Sequence, residues 1–325
     1  MLANVMTEYG GPEVLVPQEI ASPRSEPGRV VVELRAAALN WHDVLVRRGA
    51  CHSPLPHTPG ADGAGICRET GEEVIILPSL DWGPDRSAPG PGWQILGDQA
   101  SGTYAAQVSV PADCIAPKPR SLNWNQAASL GLTGGTAFRA LYTRGRLQPN
   151  ESVLILGAGG GMSTMLVMLA HGTGNPVFVT SSSREKIERA QLLGAKDGVL
   201  YTEKDWPKNA RELLPSGGGF DLVIDTVGTW EGSIRTLRPG GRLVVLGSSA
   251  SDHAQIDIRQ FYFGQFDLLG TTMASPSDFK GLLELIGTIP NFAPQVERTW
   301  PLDQAAAAHR ELEAGTHFGN IVLEV

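Results

Sequence analysis

Five residues, Gly157-Ala158-Gly159-Gly160-Gly161, separate an apolar run, Ser152–Leu156, from a segment that is apolar on all sides, Met162–His171. Glycines placed there suit phosphate chemistry. Without Cβ atoms the backbone can approach a pyrophosphate closely, and the first N–H groups of the following helix supply donors and a partial positive charge. The spacing is not G-x-G-x-x-G, because Met162 stands at the third glycine position. It is G-x-x-G-x-x-small, carried by Gly157, Gly160 and Ser163. A second apolar run, Pro176–Thr180, completes strand, turn, helix and strand in about thirty residues, the length of one mononucleotide-binding βαβ unit. The expected phosphate-side residues are Gly157, Gly159, Gly160, Gly161, Met162 and Ser163.

The end of that second strand bears on which nucleotide is bound. An NAD site needs an acidic residue there for the ribose hydroxyls. This chain has Thr180-Ser181-Ser182-Ser183-Arg184, with no acid before Glu185. Hydroxyls and cations suit a 2′-phosphate instead. Lys186 lies in the helix that follows, and Tyr201 comes after the third strand. The serines also read as N-caps of the helix beginning near Arg184, which is compatible with phosphate binding. The expected cofactor is NADPH.

These residues need elements to hold them. From Glu151 onward the pattern is α/β: strands at Gly198–Tyr201, Phe220–Val227 and Arg242–Gly247, and helices at Arg184–Leu193 and Trp206–Leu214. Such alternation implies a doubly wound parallel sheet. Val227 and Gly247, where the last two strands end, are counted with the cofactor residues. Before Ser121 the texture differs. Val30–Ala37, Glu73–Leu77 and Gly102–Val110 read as short strands among glycines and prolines, which suggests a small irregular β-barrel. Val44–Arg48 reads as a short helix ended by Gly49, and Ser79–Gly97 as a long polar loop over the surface or a site. Thr136–Arg144 has a helical pattern. After Ser251, Phe266–Met273 and Ile321–Val325 read as strands, and Ser277–Ile289 and Asp303–Ala314 as helices.

The totals exclude several classes. A chain of 325 residues is long enough for two domains. The formal charge of −8, with no basic cluster, argues against a nucleic-acid partner. No apolar run reaches membrane-spanning length, and no signal peptide is expected. Three widely spaced cysteines, Cys51, Cys67 and Cys114, imply no disulfide framework and a cytoplasmic setting.

Taken in order, AAALNWHDVLVRRG (36–49), PGADGAG (59–65), GTYAAQVSVP (102–111), LTGGTAFRAL (132–141), VLILGAGGGMS (153–163), VTSSSREKIERAQLLGA (179–195), FDLVIDTVG (220–228), LRPGGRLVVLG (237–247) and HFGNIVLEV (317–325) carry a resemblance. The chain resembles the medium-chain dehydrogenase/reductase superfamily, in particular its zinc-free quinone oxidoreductases and alcohol-dehydrogenase-like proteins. The resemblance implies an α/β fold: a Rossmann doubly wound parallel sheet inserted into a GroES-like β-barrel catalytic domain. The expected boundaries are 1–120 for the GroES-like part, 121–260 for the Rossmann domain and 261–325 for the return to the catalytic domain, with the active site in the cleft between them. In the quinone oxidoreductase branch a loop serine, a lysine at the position of Lys186 and a tyrosine at that of Tyr201 bind the 2′-phosphate. Homodimers that pair Rossmann sheets edge to edge are also implied, here through the region of Phe266–Met273.

The resemblance also locates the zinc ligands of related enzymes, and this chain departs from them. A cysteine three residues before the aspartate of the first motif is here Asn40, before Asp43. A His-Glu pair after a glycine is here Ala61-Asp62, after Gly60. No cysteine stands near Leu132, and the loop of closely spaced cysteines is missing. A zinc ion needs three or four ligands in tetrahedral reach, so no metal is expected. Cys51, His52 and His57 are read as a surface loop with histidines.

Without a Lewis acid, hydrogen-bond donors must polarise the acceptor, which favours conjugated substrates whose charge spreads over an enolate. Asn40, in place of the ligating cysteine, is the candidate donor, or else a turn residue. Asp43 either fixes local structure or takes part in catalysis. Thr133 resembles the residue that touches the nicotinamide carboxamide or ribose. Tyr104 reads as core, Trp41 and Trp82 as packing or pocket walls, and His42 is assigned no acid role. Asn320 stands where most relatives have a lysine near the cofactor. The expected activity is NADPH-dependent reduction of a small-molecule quinone or α,β-unsaturated carbonyl without zinc. The alternatives are a zinc-free alcohol or carbonyl dehydrogenase and a non-catalytic NADPH sensor.

Overall fold

The computed structural model describes residues 1–215 and 217–325. Ser216, in the turn expected after the helix at Trp206, lies outside the described residues. The chain divides into two compact units. The first comprises Met1–Gly135, Met273–Gly287 and Ala293–Val325, and the second Thr136–Thr272 and Thr288–Phe292.

The second unit is built on a six-stranded sheet in the order Ala195–Leu200, Val177–Ser181, Val153–Ile155, Phe220–Asp225, Leu237–Val245, Asp267–Gly270. Every neighbouring pair is parallel. The first strand of the unit therefore lies beside both the second and the fourth, so successive crossovers run outward in opposite directions from it. This is the doubly wound order, and it opens a crevice at the carboxyl ends of the strands, where the order reverses. The continuous apolar runs read from the sequence are buried on both faces: Val153, Leu154, Ile155, Leu222, Val223 and Ile224 are wholly inaccessible. Helix Gly161–Gly172 buries Met165, Leu166, Val167, Leu169 and Ala170, which explains its lack of a polar face.

The first unit holds a seven-stranded sheet. Its order is Val296–Pro301, Asn320–Glu324, Arg29–Ala38, Ala64–Cys67, Glu73–Ile76 and Ile115–Pro117, with Gln107–Pro111 also paired to Arg29–Ala38. Pairing is antiparallel except between Val296–Pro301 and Asn320–Glu324. The C-terminal strand joins the N-terminal part of the sheet by the pairing Val322 with Ala38 and Leu323 with Ala37. Strand Arg29–Ala38 delivers the chain to Asn40, whose extended backbone starts helix Trp41–Arg47.

The units divide at 135/136 and 272/273 rather than at 120/121 and 260/261. Helix Trp124–Ala128 packs on strands Arg29–Ala38 and Ala64–Cys67, and strand Asp267–Gly270 extends the parallel sheet. The helix expected over Thr136–Arg144 runs instead from Leu132 to Phe138 and continues as a π-turn, Arg139–Arg144. Segment 79–97 is only partly a surface loop. Ser79–Leu80 pairs with Gln94–Ile95, and Trp82, 2% exposed, meets Trp93 edge-on with ring centroids 6.0 Å apart.

Candidate functional site

In the second unit, strand Val153–Ile155 ends beside the switch point and the glycine turn follows at once. Gly157 (φ +77°) and Gly159 (φ +125°) adopt backbone that L-residues rarely take. The turn is pinned to the neighbouring strand, where Ala158 N–H donates to Thr180 O at 2.7 Å and Gly157 N–H to Thr180 Oγ1 at 3.3 Å. Ser163 Oγ accepts from Gly159 N–H at 3.1 Å and donates to Gly160 O at 3.0 Å. The third small residue of the fingerprint thus ties the turn to its helix, a role a glycine could not fill. Gly160 precedes helix Gly161–Gly172, which leaves the first helical N–H groups, Met162 among them, at the turn.

The loop after Val177–Ser181 brings its cation back onto this turn. A Cβ added to Gly159 would lie 2.6 Å from Lys186 Cδ and 3.1 Å from Lys186 Nζ. Lys186 therefore covers the glycine turn. Ser183 caps the helix by accepting from Lys186 N–H at 3.4 Å, and Ser181 Oγ donates to Ala158 O at 3.3 Å. Ser182 and Arg184 are exposed, with Arg184 3.3 Å from Glu203 Oε1. Tyr201 is 46% exposed, and its N–H donates to Ser181 O at 3.0 Å. Val227 Cγ1 would be 3.2 Å from a Cβ on Gly157, and a Cβ on Gly247 would collide with Thr226 O at 2.2 Å. The backbone at Gly157 and Gly159 fits a dinucleotide pyrophosphate. Asn320 belongs to the first unit instead. It is buried, and its amide donates to Gln295 O at 3.0 Å.

The first unit carries a buried carboxylate network. Asn40 Nδ2 donates to Asp62 Oδ2 at 2.9 Å and makes only a 3.5 Å contact with Ala38 O. Asp62 Oδ1 accepts from Leu132 N–H at 2.5 Å. Asp43 Oδ2 accepts from Asn40 N–H at 2.8 Å and from Tyr104 Oη–H at 3.0 Å, while its Oδ1 has no partner. Tyr104 Oη also lies 3.1 Å from His309 Nε2. Both carboxylates are wholly buried. Burial raises Asp62 to about 7, against the hydrogen bonds from Asn40 and Leu132. Burial likewise raises Asp43 to about 6, opposed by His42 and by the Asn40 and Tyr104 hydrogen bonds. Burial lowers His309 to about 3, with Arg47 adding to the effect, so the imidazole is neutral. Thr133, 5% exposed, donates its hydroxyl to Ser129 O at 2.7 Å and keeps its lone pairs for a donor.

The structure thus brings Asn40 and Asp43 together, and adds Asp62, Tyr104 and His309 to them. Tyr104 is core, wholly buried. Asp62 was legible as a carboxylate set among Gly60, Ala61, Gly63 and Ala64, residues too small to shield it. His309 sits in an alanine-rich helix and has no signal in the sequence. A zinc ion does not fit the Asn40–Ala61–Asp62 positions. Asn40 and Ala61 offer no strong ligand, and both Asp62 oxygens already accept hydrogen bonds. The loop of Cys51, His52 and His57 is less superficial than expected. His57 is 3% exposed, with Nε2 2.9 Å from Gly97 O.

The family model for the alcohol dehydrogenase GroES-like domain matches residues 26–120, and that for zinc-binding dehydrogenases matches residues 161–288. A zinc-type alcohol dehydrogenase-like protein of Schizosaccharomyces pombe is 30% identical over 99% of this chain and 98% of its own length. The quinone oxidoreductase of Mus musculus is 29% identical over 97% of this chain and 95% of its own. A crystal structure of an NAD-dependent alcohol dehydrogenase is 37% identical and superposes with a TM-score of 0.93, covering 100% of both chains.

Proposed function

The chain belongs to the medium-chain dehydrogenase/reductase superfamily and is an oxidoreductase of that type; from that premise we propose that it reduces a quinone or an α,β-unsaturated carbonyl with NADPH. The observation that carries the cofactor choice is the second-strand loop, which has hydroxyls and cations where an acid would select NADH, with Lys186 lying over Gly159. Gly157, Gly159, Gly160 and the first helical N–H groups hold the pyrophosphate. Ser182, Arg184, Lys186 and Tyr201 hold the 2′-phosphate, and the Thr133 hydroxyl accepts from the carboxamide. NADPH, when bound, supplies a hydride to the electron-poor carbon.

The remaining work falls to the Asn40 pair. One amide N–H of Asn40 is fixed on Asp62. The other, held only by the 3.5 Å contact to Ala38 O, donates to the substrate oxygen as negative charge develops there. Asp62 orients the amide, and Asp43 fixes the backbone at Asn40. A preorganised donor of this kind contributes roughly 2.7–4 kcal/mol to an oxyanion-type transition state. A conjugated acceptor spreads its charge and needs less. The substrate is therefore an enone or quinone rather than a simple alcohol, although one solved relative is an NAD-dependent alcohol dehydrogenase.

The test is oxidation of NADPH and of NADH over a panel of quinones, enones and simple alcohols. Preference for NADPH should fall by roughly 10- to 100-fold in Lys186→Gln, since a charge-assisted hydrogen bond is worth about 1.5–3 kcal/mol, while NADH kinetics stay unchanged. Turnover confined to alcohols would overturn the substrate, and NADH preference in the unmodified protein would overturn the cofactor. We also propose a homodimer joined at the edge strand Asp267–Gly270, beside which helix Ile258–Gly264 exposes Ile258, Tyr262 and Phe263. Light scattering that gives the mass of one chain would refute it. No helix among the described residues is long and apolar enough to cross a membrane.

A further inference from the structure

We propose that His42, Cys51 and Asp98 form a binding site for a tetrahedral divalent cation of the zinc class, apart from the positions where related enzymes hold zinc. His42 lies in the first turn of helix Trp41–Arg47, Cys51 in the loop beyond Gly49, and Asp98 in the turn after strand Gln94–Ile95. One ligand atom from each residue lies within 4.8 Å of the other two. His42 Nε2 stands 3.4 Å from Asp98 Oδ2, yet this buried nitrogen has no hydrogen-bond partner.

The distances suit a metal as well as they suit a cluster in which His42 and Cys51 share Asp98. Nitrogen and oxygen ligands at about 2.0 Å from a tetrahedral zinc lie about 3.3 Å apart, and a thiolate at about 2.3 Å lies about 3.5 Å from each. His42 and Asp98 already have that separation, and Cys51 closes with a shift of about an ångström. Imidazole, thiolate and carboxylate together select zinc or cobalt over calcium and magnesium, which take oxygen ligands.

The surroundings hold the ligands in place. Ser53 Oγ donates to Asp98 Oδ1 at 2.7 Å and leaves Oδ2 turned to His42. That is the outer hydrogen bond that fixes a ligating carboxylate. Ser53 is anchored through its carbonyl, which accepts from Tyr9 Oη–H at 2.5 Å. The turn carrying Asp98 is fixed by the contact of His57 Nε2 with Gly97 O at 2.9 Å. Asp98 is 2% exposed, and a carboxylate so deeply buried needs a counter-charge. A bound cation supplies it, with the thiol proton of Cys51 released to solvent and a fourth position left for water.

The test uses the full-length chain stripped with a chelator, incubated with zinc and gel-filtered. About one zinc per chain should be retained, as measured by elemental analysis. Cobalt in its place should give a thiolate-to-metal charge-transfer band in the near ultraviolet. Zinc should slow alkylation of Cys51 by iodoacetamide at least tenfold, a readout made on the unmodified protein. His42→Gln and Cys51→Ala should each weaken retention by roughly tenfold or more. Substoichiometric zinc, an unprotected Cys51, or retention by either variant equal to that of the parent protein would overturn the site. All of these readouts follow the metal rather than turnover, so they stand or fall independently of the proposed reductase activity.

Discussion

Replacing Asp62 by asparagine tests whether a buried carboxyl with an elevated pKa shapes stability in the first unit. Burial raises Asp62 from 3.8 to about 7 in the folded protein. Between those two values the unfolded chain has released the proton and the native state has kept it. The unfolded state then binds fewer protons, so stability falls as pH rises, by about 1.4 kcal/mol per pH unit. The contribution is fully present below about pH 4 and fully lost above about pH 7, a total on the order of 4 kcal/mol. Asp62→Asn has no proton to lose. Its amide oxygen can still accept from Leu132 N–H, and Asn40 can turn its carbonyl to the new NH₂ group. These changes shift stability by an amount that does not depend on pH. All other titrating groups are shared, so the variant-minus-parent difference reports the Asp62 carboxyl together with any shift it imposes on its neighbour Asp43. It should be flat below about pH 4, rise in favour of the variant to about pH 7, and level off above. Chemical denaturation at intervals from pH 4 to 8, read on the transition of the first unit, measures it. Parallel curves for the two proteins across pH 5–7 would refute the assignment of an elevated pKa to Asp62.

Three further outcomes follow from the same structure. Tyr104→Phe removes a donor from Asp43 and leaves His309 Nε2 unpaired. It should cost about 1–3 kcal/mol. The loss should be larger at pH 8 than at pH 4, because Asp43 without that donor rises further above its unfolded value; thermal melts at the two pH values check this. Glu313→Gln removes the counter-charge of Arg47, whose side chain is wholly buried and lies 2.5 Å from Glu313. It should destabilise by about 3 kcal/mol, read from the denaturation midpoint. Gly159→Ala forces a side chain onto a backbone at φ +125° and into Lys186. The strain, about 1–3 kcal/mol, should appear as weaker NADPH binding in a fluorescence titration.

The strands of the second unit were legible in the sequence, whereas helices Trp230–Thr236 and Ile258–Gly264 were not. Its strands are buried on both faces, so each reads as an unbroken apolar run between glycine turns, and the crossover helices follow at regular spacing. Local signals sufficed because parallel βαβ units are built locally. The first unit was harder to read. Strand Val16–Glu19 is exposed throughout, and Val296–Pro301 carries Glu297, Arg298 and Thr299 in a row, all exposed. Neither shows the alternation that marks a half-buried strand. Each is held by its pairing partner, Leu2–Val5 for the one and Asn320–Glu324 for the other, rather than by a pattern of its own. The contact division at 135/136 differs from the expected limit at 120/121, since no local feature of Trp124–Ala128 says which sheet it will cover.

The candidate site divides along the same line. Glycines at Gly157 and Gly159 are demanded by a turn geometry that a short stretch of sequence encodes. Lys186 lies over that turn because one helix carries it there. The buried network is of another kind. Asn40, Asp62, Tyr104 and His309 come from four separate segments, and no spacing rule links them. What the sequence could register was chemical incongruity: a carboxylate, Asp62, set in a segment otherwise made of small residues. The cost of burying an unpaired carboxylate makes such a residue informative before any fold is known. It implies that the chain brings donors to it, and Asn40 and Leu132 are those donors. The same reasoning extends to Asp98. There Ser53 Oγ holds one carboxylate oxygen, while His42 Nε2, 3.4 Å away, and Cys51 face the carboxylate, and the proposed cation would sit among the three.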